Sequence, residues 1–250
     1  MGTLGPSLTV SGVFMKKKLL FIYNPKAGKA QIKNKLSEIL DLFTTAGYEV
    51  TAVPTQKRGD ACRVAADRTA DYELLVCGGG DGTLDEAVTG MVQSGFLTPI
   101  GYIPAGSTND FGGSLGLPKS MVQAARIAVE GRKFPCDIGT FNDDIFVYIA
   151  AFGLFTDVSY ETGQEIKNVL GHMAYLLEGM KRLSAIRSFS MKVVCGDTVI
   201  EDDFIFGMIT NSLSVGGFKN ITGKNVRLDD GVFEVTLIMP NIKSSSITVS

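Results

Sequence analysis

The stretch Gly78-Gly79-Gly80-Asp81-Gly82-Thr83 is where chemistry first shows in this chain. Successive N–H groups on a glycine turn can close on an anion, because no Cβ keeps the ligand away. The apolar run Leu74-Leu75-Val76 just before it does not alternate with polar residues and reads as a short buried strand. After Thr83, the residues Leu84, Ala87, Val88, Met91 and Val92 share one face of a helix. The glycines therefore sit between a strand's carboxyl end and a helix N-terminus, where free N–H groups and the helix dipole favour phosphate. Asp81 opposes that reading, since a carboxylate beside phosphate is repulsive unless a Mg²⁺ or a donor network intervenes. A nucleotide carried with Mg²⁺ resolves the conflict. Thr83-x-x-Glu86 is also a capping box that needs no ligand, but a cap leaves the glycines and Asp81 unexplained.

Two further turns of the same texture follow apolar runs: "NPKAGK" at 24–29 and "IPAGSTNDFG" at 103–112. Alone, Asn24-Pro25 is a common turn and Ser107-x-x-Asp110 a common cap. If the strands are parallel, however, all three turns lie along one sheet edge and surround one ligand. Better-known nucleotide motifs fail on spacing. Asp85 stands where Gly-x-Gly-x-x-Gly needs its last glycine, and no Gly-x-x-x-x-Gly-Lys-Ser/Thr occurs.

The elements that must position these turns alternate between strand and helix from Lys18 to about Pro135. "KLLFIY", "YEVTAV", "ELLVC" and "PIGYI" read as strands. Ile32, Leu36, Ile39, Leu40 and Phe43 mark a helix face that ends near Gly47, and a second helix carries Asp60, Ala61, Val64 and Ala65. Ser120 offers an N-cap for a helix closed by Gly131. The pattern predicts a parallel, doubly wound α/β domain over 15–136. From Cys136 the texture changes to "DDIFVYIAAFG", "FSMKVVCGDTVI", "DFIFGMITN" and "VFEVTLIMP", parted by turns such as Gly196-Asp197 and Asp230-Gly231. This predicts a mostly antiparallel β domain over 137–250, interrupted by a helix at 168–183. Residues 1–14 show no periodicity and read as a loose extension.

Bulk properties narrow the class. The 250 residues carry 24 basic and 26 acidic side chains, a balance that argues against a dedicated nucleic-acid binder. The cysteines Cys62, Cys77, Cys136 and Cys195 form no C-x-x-C pair and read as buried small residues in a reducing compartment. A single histidine, His172, leaves little room for a Ser-His-Asp triad or a histidine-rich metal site. The longest apolar run, 145–155, is short of the ~18 residues of a membrane span. "MKKKLLFIY" imitates a signal peptide but has too short an apolar core and runs straight into "NPKAGK". These signs predict a soluble cytosolic protein.

"YNPKAGK", "GGGDGTLDEAV" and "IPAGSTNDFG", in this order and at these intervals, resemble the bacterial diacylglycerol kinase-like lipid kinases, relatives of eukaryotic diacylglycerol, sphingosine and ceramide kinases. The likeness runs through "CDIG", "AAFGLFTDVSYET", "GHMAYLLEGMKRL" and "RLDDGVFEV", and so covers roughly Met15 to Pro240. It implies a phosphofructokinase/NAD kinase-like nucleotide domain, a β-sandwich-like second domain, and ATP with Mg²⁺ in the cleft between them. Carried over by residue, Asn24, Pro25, Lys26, Ala27 and Gly28 would contact the nucleotide, and Thr55 would line its adenosine side. Gly79, Gly80, Asp81, Gly82, Thr83 and Glu86 would hold the phosphates and their Mg²⁺. Ser107 stands where the family usually has threonine and keeps the hydroxyl. The "RLDDG" turn resembles a structural divalent-metal site built from the Asp230 carboxylate and the carbonyls of Arg227 and Val232; on the residues alone it is a plain Asp-Gly hairpin.

The resemblance also implies a lipid acceptor met at a membrane surface, phospholipid biosynthesis as the setting, a cytoplasmic and peripheral location, and an assembly compatible with a homodimer. One part of the pattern is missing. The family's general base is an aspartate in an Asp-Gly-Glu turn near the C-terminus, and no Asp-Gly-Glu occurs in these 250 residues. The expectation is a chain truncated before that base, so that the catalytic aspartate would lie beyond Ser250. A catalytically silent nucleotide-binding member is the alternative from another class, and an NAD kinase-like enzyme the weaker one within the enzymes.

Overall fold

The computed structural model describes residues 17–142, 144–153, 187–219, 222, 225–240 and 244–249. The helix expected at 168–183, the extension 1–14, His172 and Ser250 lie outside the described residues.

Four strands, β1 (Lys17–Tyr23), β2 (Tyr48–Pro54), β3 (Leu74–Gly79) and β4 (Ile100–Pro104), form a parallel sheet in the order β2-β1-β3-β4. The continuous apolar run of β1 is what a strand covered on both faces requires. Leu19 and Phe21 face α1 (Ile32–Thr45) and α5 (Met121–Glu130), packing with Ile32, Ile39, Phe43, Ala124 and Ala125. Leu20 and Ile22 face α2 (Asp60–Arg68) and α3 (Asp81–Gln93), packing with Ala61, Val64, Leu84, Ala87 and Val88. The sheet is doubly wound, as its alternating pattern predicts. Ser120 Oγ accepts the Gln123 N–H at 3.5 Å to start α5, and Gly131 closes it.

The chain moves outward from β1 to β2 and then crosses back to β3. The strand order thus reverses between β1 and β3, and ligands in open α/β sheets bind outside the carboxyl ends of strands at such a point. A short helix, α4 (Asp110–Ser114), follows β4 on this edge.

The second half is antiparallel. β7 (Ile149–Gly153), β10 (Phe206–Thr210), β13 (Phe233–Ile238) and β14 (Ser244–Val249) form a sheet in the order β14-β13-β10-β7. The hairpin β8 (Phe189–Cys195)–β9 (Thr198–Phe204) turns at Gly196-Asp197, as expected, and lays Met191, Val193 and Ile200 against Val235, Leu237 and Phe204. The other strands described in this half are the small hairpins β5 (Gly139–Phe141)–β6 (Asp144–Phe146) and β11 (Ser214–Val215)–β12 (Phe218–Lys219).

Two expected strands are divided. "DDIFVYIAAFG" breaks at Val147-Tyr148, where the Val147 N–H leaves the ladder for the Asp85 carboxylate at 2.9 Å and the Tyr148 carbonyl accepts from Asn211 N–H at 2.9 Å. "DFIFGMITN" breaks at Ile205, whose N–H bonds to Ile238 O at 2.8 Å as the chain passes from the hairpin into the main sheet. Among the described residues no helix is long and apolar enough to cross a membrane.

Candidate functional site

The three expected turns meet. Asn24, just past β1, donates its N–H to Gly78 O at 2.8 Å, and Ala105, just past β4, donates to Gly79 O at 2.7 Å. The glycine turn is thus laced to both neighbours by the last rungs of the sheet. Asn24 Oδ1 accepts the Lys26 N–H at 2.9 Å, folding "NPKAG" back so that Gly28, at φ +54°, lies on the third loop. A Cβ on Gly28 would stand 2.6 Å from Ala105 O, and one on Gly106 would stand 2.6 Å from Gly80 Cα. Backbone touches backbone at this junction, and side chains have no room there. Asn109 sustains the third loop: its Oδ1 accepts the Gly106 N–H at 2.7 Å and its Nδ2 donates to Gly106 O at 2.9 Å. It does so from the left-handed region (φ +54°), which asparagine tolerates better than most residues.

α3 begins at Asp81, and Gly80 is its N-cap with no side-chain cap bond. Thr83 therefore stands inside the first turn, its side chain pressed over Gly79, and the capping box expected from Thr83-x-x-Glu86 does not form. Glu86 turns instead to the neighbouring helix. Its Oε1 accepts the Gly59 N–H at 2.9 Å and its Oε2 the Ala61 N–H at 3.3 Å, capping α2. Among the described residues no hydrogen bond takes the N–H of Gly80 or Gly82, which is what a helix start leaves free for an anion.

Asp81 is 7% exposed, and its carboxylate also has protein partners. Oδ2 accepts the Asp110 N–H at 3.0 Å and Oδ1 the Phe111 N–H at 3.1 Å, so it caps α4 across the two loops. Burial pushes its carboxyl up to about 6, with the nearby Asp110 charge adding to the shift and the two N–H bonds opposing it. The cap expected from Ser107-x-x-Asp110 is absent: Ser107 is exposed, and a residue remote in sequence does the work. Tyr102 lies beneath, donating its hydroxyl to Gly79 O at 3.2 Å. Thr55, half-buried after β2, donates its N–H to Tyr23 O at 2.9 Å and so joins the same edge.

Asp85, Gly106, Asn109 and Asp110, which carry no assigned role in the sequence, also shape this edge. Asp85 is held between the halves, and burial raises its carboxyl to about 6, with Glu86, Asp144 and Asp81 reinforcing the shift. Because the folded-state value lies above the ordinary one, this group's contribution to stability is present below about pH 4 and lost as pH rises through about 6. Asp85→Asn keeps an oxygen for the Val147 N–H and removes the buried charge. We expect it to raise stability at pH 7.5 by about 1–2 kcal/mol and to flatten the pH dependence between 4 and 7, measured by denaturant melts.

No group of three His, Cys, Asp or Glu able to hold a metal ion exists among the described residues. Asp81 and Glu86 already accept backbone N–H groups. In the distal turn, Arg227 pairs with Asp229 at 3.5 Å, and Asp230 Oδ1 accepts the Val232 N–H at 3.1 Å. A Mg²⁺ here would depend on ligands brought by the substrate, as Mg²⁺ sites in phosphate-handling proteins commonly do. The start of α3 suits an anion: the Gly80 and Gly82 N–H groups have no hydrogen-bond partner among the described residues, and the space beside Gly82 is open.

Comparison with known proteins agrees with this geometry. The profile of the diacylglycerol kinase catalytic domain matches residues 18–141, the span that holds all three loops. Diacylglycerol kinase of Staphylococcus carnosus is 36% identical over 226 residues, covering 90% of this chain and 73% of the relative. That of Staphylococcus aureus strain MRSA252 is 34% identical, covering 90% and 71%. A crystal structure of a diacylglycerol kinase from Bacillus anthracis superposes with a TM-score of 0.76 at 25% identity, over 94% of this chain and 84% of that one. A likeness that spans both halves of the chain and preserves their fold places it: this protein belongs to the diacylglycerol kinase family of lipid kinases.

Proposed function

We propose that the chain transfers the γ-phosphoryl group of ATP to a hydroxyl of diacylglycerol or a closely related lipid. The observation that supports this most is the start of α3, where the Gly80 and Gly82 N–H groups have no hydrogen-bond partner among the described residues, at the sheet's switch position. The N–H groups of Gly80 and Gly82 at the start of α3 would hold the phosphates, with Gly79 and Thr83 fixing the turn. The loop from Asn24 through Pro25, Lys26 and Ala27 to Gly28 would flank the nucleotide, Thr55 its adenosine side, and Ser107 would offer a hydroxyl from the third loop.

In the transfer the lipid oxygen attacks the γ-phosphorus, the bond to the β–γ bridging oxygen breaks, and the hydroxyl proton passes to a carboxylate. This chemistry rests on positioning and charge neutralisation. Mg²⁺ carried on the phosphates would supply neutralisation. On the resemblance, the proton acceptor would be the aspartate of an Asp-Gly-Glu turn, a motif these 250 residues do not contain. On the resemblance alone, the Arg227, Asp230 and Val232 turn is a proposed structural-ion site. We further propose residues 15–136 as the nucleotide half, 137–250 as the acceptor half, and peripheral contact with the cytoplasmic membrane face, where the acceptor resides.

The test is transfer of radiolabelled γ-phosphate from ATP to diacylglycerol in mixed micelles, with NAD as a rival acceptor. It is run on the 250-residue chain and on a version continued to the natural stop codon. Label in the lipid from at least the longer chain is the expected result. Label in NAD alone, or ATP binding without any transfer by either chain, would overturn the proposal in favour of an NAD kinase-like enzyme or a silent member respectively.

A further inference from the structure

α4 is only five residues long, yet both halves of the molecule hold it. From the glycine turn, the Asp81 carboxylate caps its first N–H groups, as described. From the second half, Ser214 donates its hydroxyl to Asp110 Oδ1 at 2.7 Å and Gly217 donates its N–H to the same oxygen at 2.9 Å. At the other end of α4, Ser114 Oγ accepts the Leu213 N–H at 2.9 Å, donates to Asp110 O at 2.9 Å, and lies 3.0 Å from Ser212 Oγ. Ser212 also reaches Ser214 O at 2.6 Å, and its own carbonyl accepts the Thr222 hydroxyl at 2.6 Å.

These groups are out of water. Asp110 is 3% exposed and Ser212 fully buried. A buried carboxylate with protein donors on it cannot swing without leaving those donors unpaired, which is costly. The β11–β12 segment therefore cannot shift against α4 freely, nor α4 against the glycine turn. Hydrogen bonds and single backbone steps link Asp81 to Thr222 through Asp110, Ser114, Leu213 and Ser212.

We propose that α4 is a strut coupling the glycine turn to the second half, with Ser114 and Ser214 as positioning residues that set the acceptor half against the phosphate cradle. The catalytic meaning of this coupling rests on the kinase reading above; the coupling itself does not. The halves also meet where Val147 packs on α3 and gives its N–H to Asp85, but only the bonds at α4 lead back to the residues that Asp81 holds.

Amide hydrogen exchange on the ligand-free chain tests the coupling in both directions. In Ser214→Ala and in Ser114→Ala, exchange at the Phe111 amide, which is held by Asp81 and bonds to neither serine, is expected to rise about tenfold. In Asp81→Asn, exchange at Leu213 and Gly217 is expected to rise by a similar factor of about ten. Changes confined to each substituted residue's own direct partners would overturn the proposal. Where the chain turns over, Ser214→Ala should lower kcat about tenfold at unchanged KM for ATP, with Ser214→Thr restoring it. A parallel rise in KM, or no effect, would remove the positioning role. The exchange measurement needs no turnover, so it decides the coupling even where the kinase reading fails.

Discussion

Replacing Asp81 with alanine is expected to abolish detectable turnover and to lower the stability of the ligand-free chain by about 2–4 kcal/mol. The stability loss is the informative part. If Asp81 served only to hold a metal-bound phosphate, its removal would relieve a buried charge and leave the empty protein as stable or more so. Here its oxygens hold the Asp110 and Phe111 N–H groups, both buried. Alanine leaves those donors unpaired, each at about 1–3 kcal/mol, partly offset because burial had already raised the carboxyl to about 6. A urea melt without nucleotide checks the sign. An unchanged or higher midpoint would mean that the cap on α4 contributes nothing.

The second large effect is expected from Gly106→Ala. A Cβ there would lie 2.6 Å from Gly80 Cα and 2.8 Å from Asn109 Oδ1, and the first of these is backbone that cannot rotate aside. The third loop must retreat from the glycine turn, at about 1–3 kcal/mol of stability and with at least about tenfold weaker nucleotide binding. Gly82→Ala is the matched control. Its Cβ would meet nothing within 4 Å and its φ is not in the left-handed region, so the fold should be kept or slightly favoured by helix propensity. Titration calorimetry with ATP, alongside thermal melts, separates the two. Weakened binding and stability in Gly106→Ala, against stability retained in Gly82→Ala, is the expected pair of results.

Much of this arrangement is legible in residue order because it depends on local rules. Leu19 to Ile22, an unbroken apolar run, could only be a strand covered on both faces, and parallel strands put their following turns on one edge. Those two rules bring "NPKAGK", "GGGDGT" and "AGSTND" together from residue order alone. The partners of the carboxylates are not legible there. Glu86 has a plausible partner in its own helix start, yet starting α3 at Asp81 puts Thr83 inside the turn and leaves Glu86 to cap α2. Asp81 reaches N–H groups 29 and 30 positions away, which local sequence rules do not see. Asp85 reads in sequence only as a missing glycine, although the packing of β6 and Val147 against α3 gives it an N–H to accept. In each case backbone donors freed at a helix start or a strand break selected the carboxylate that tertiary packing brought nearest.

The proposed phosphate site lies at the start of α3, beside the point where the three loops meet. The most direct measurement is an amide chemical-shift titration of the isotope-labelled chain with ATP, with and without Mg²⁺. The largest shifts are expected on Gly28, Gly80, Gly82 and Gly106 and their immediate neighbours, and Gly106→Ala is expected to remove them together. Saturable ATP binding whose shifts lie elsewhere, with these four glycines unmoved, would contradict this placement of the phosphate.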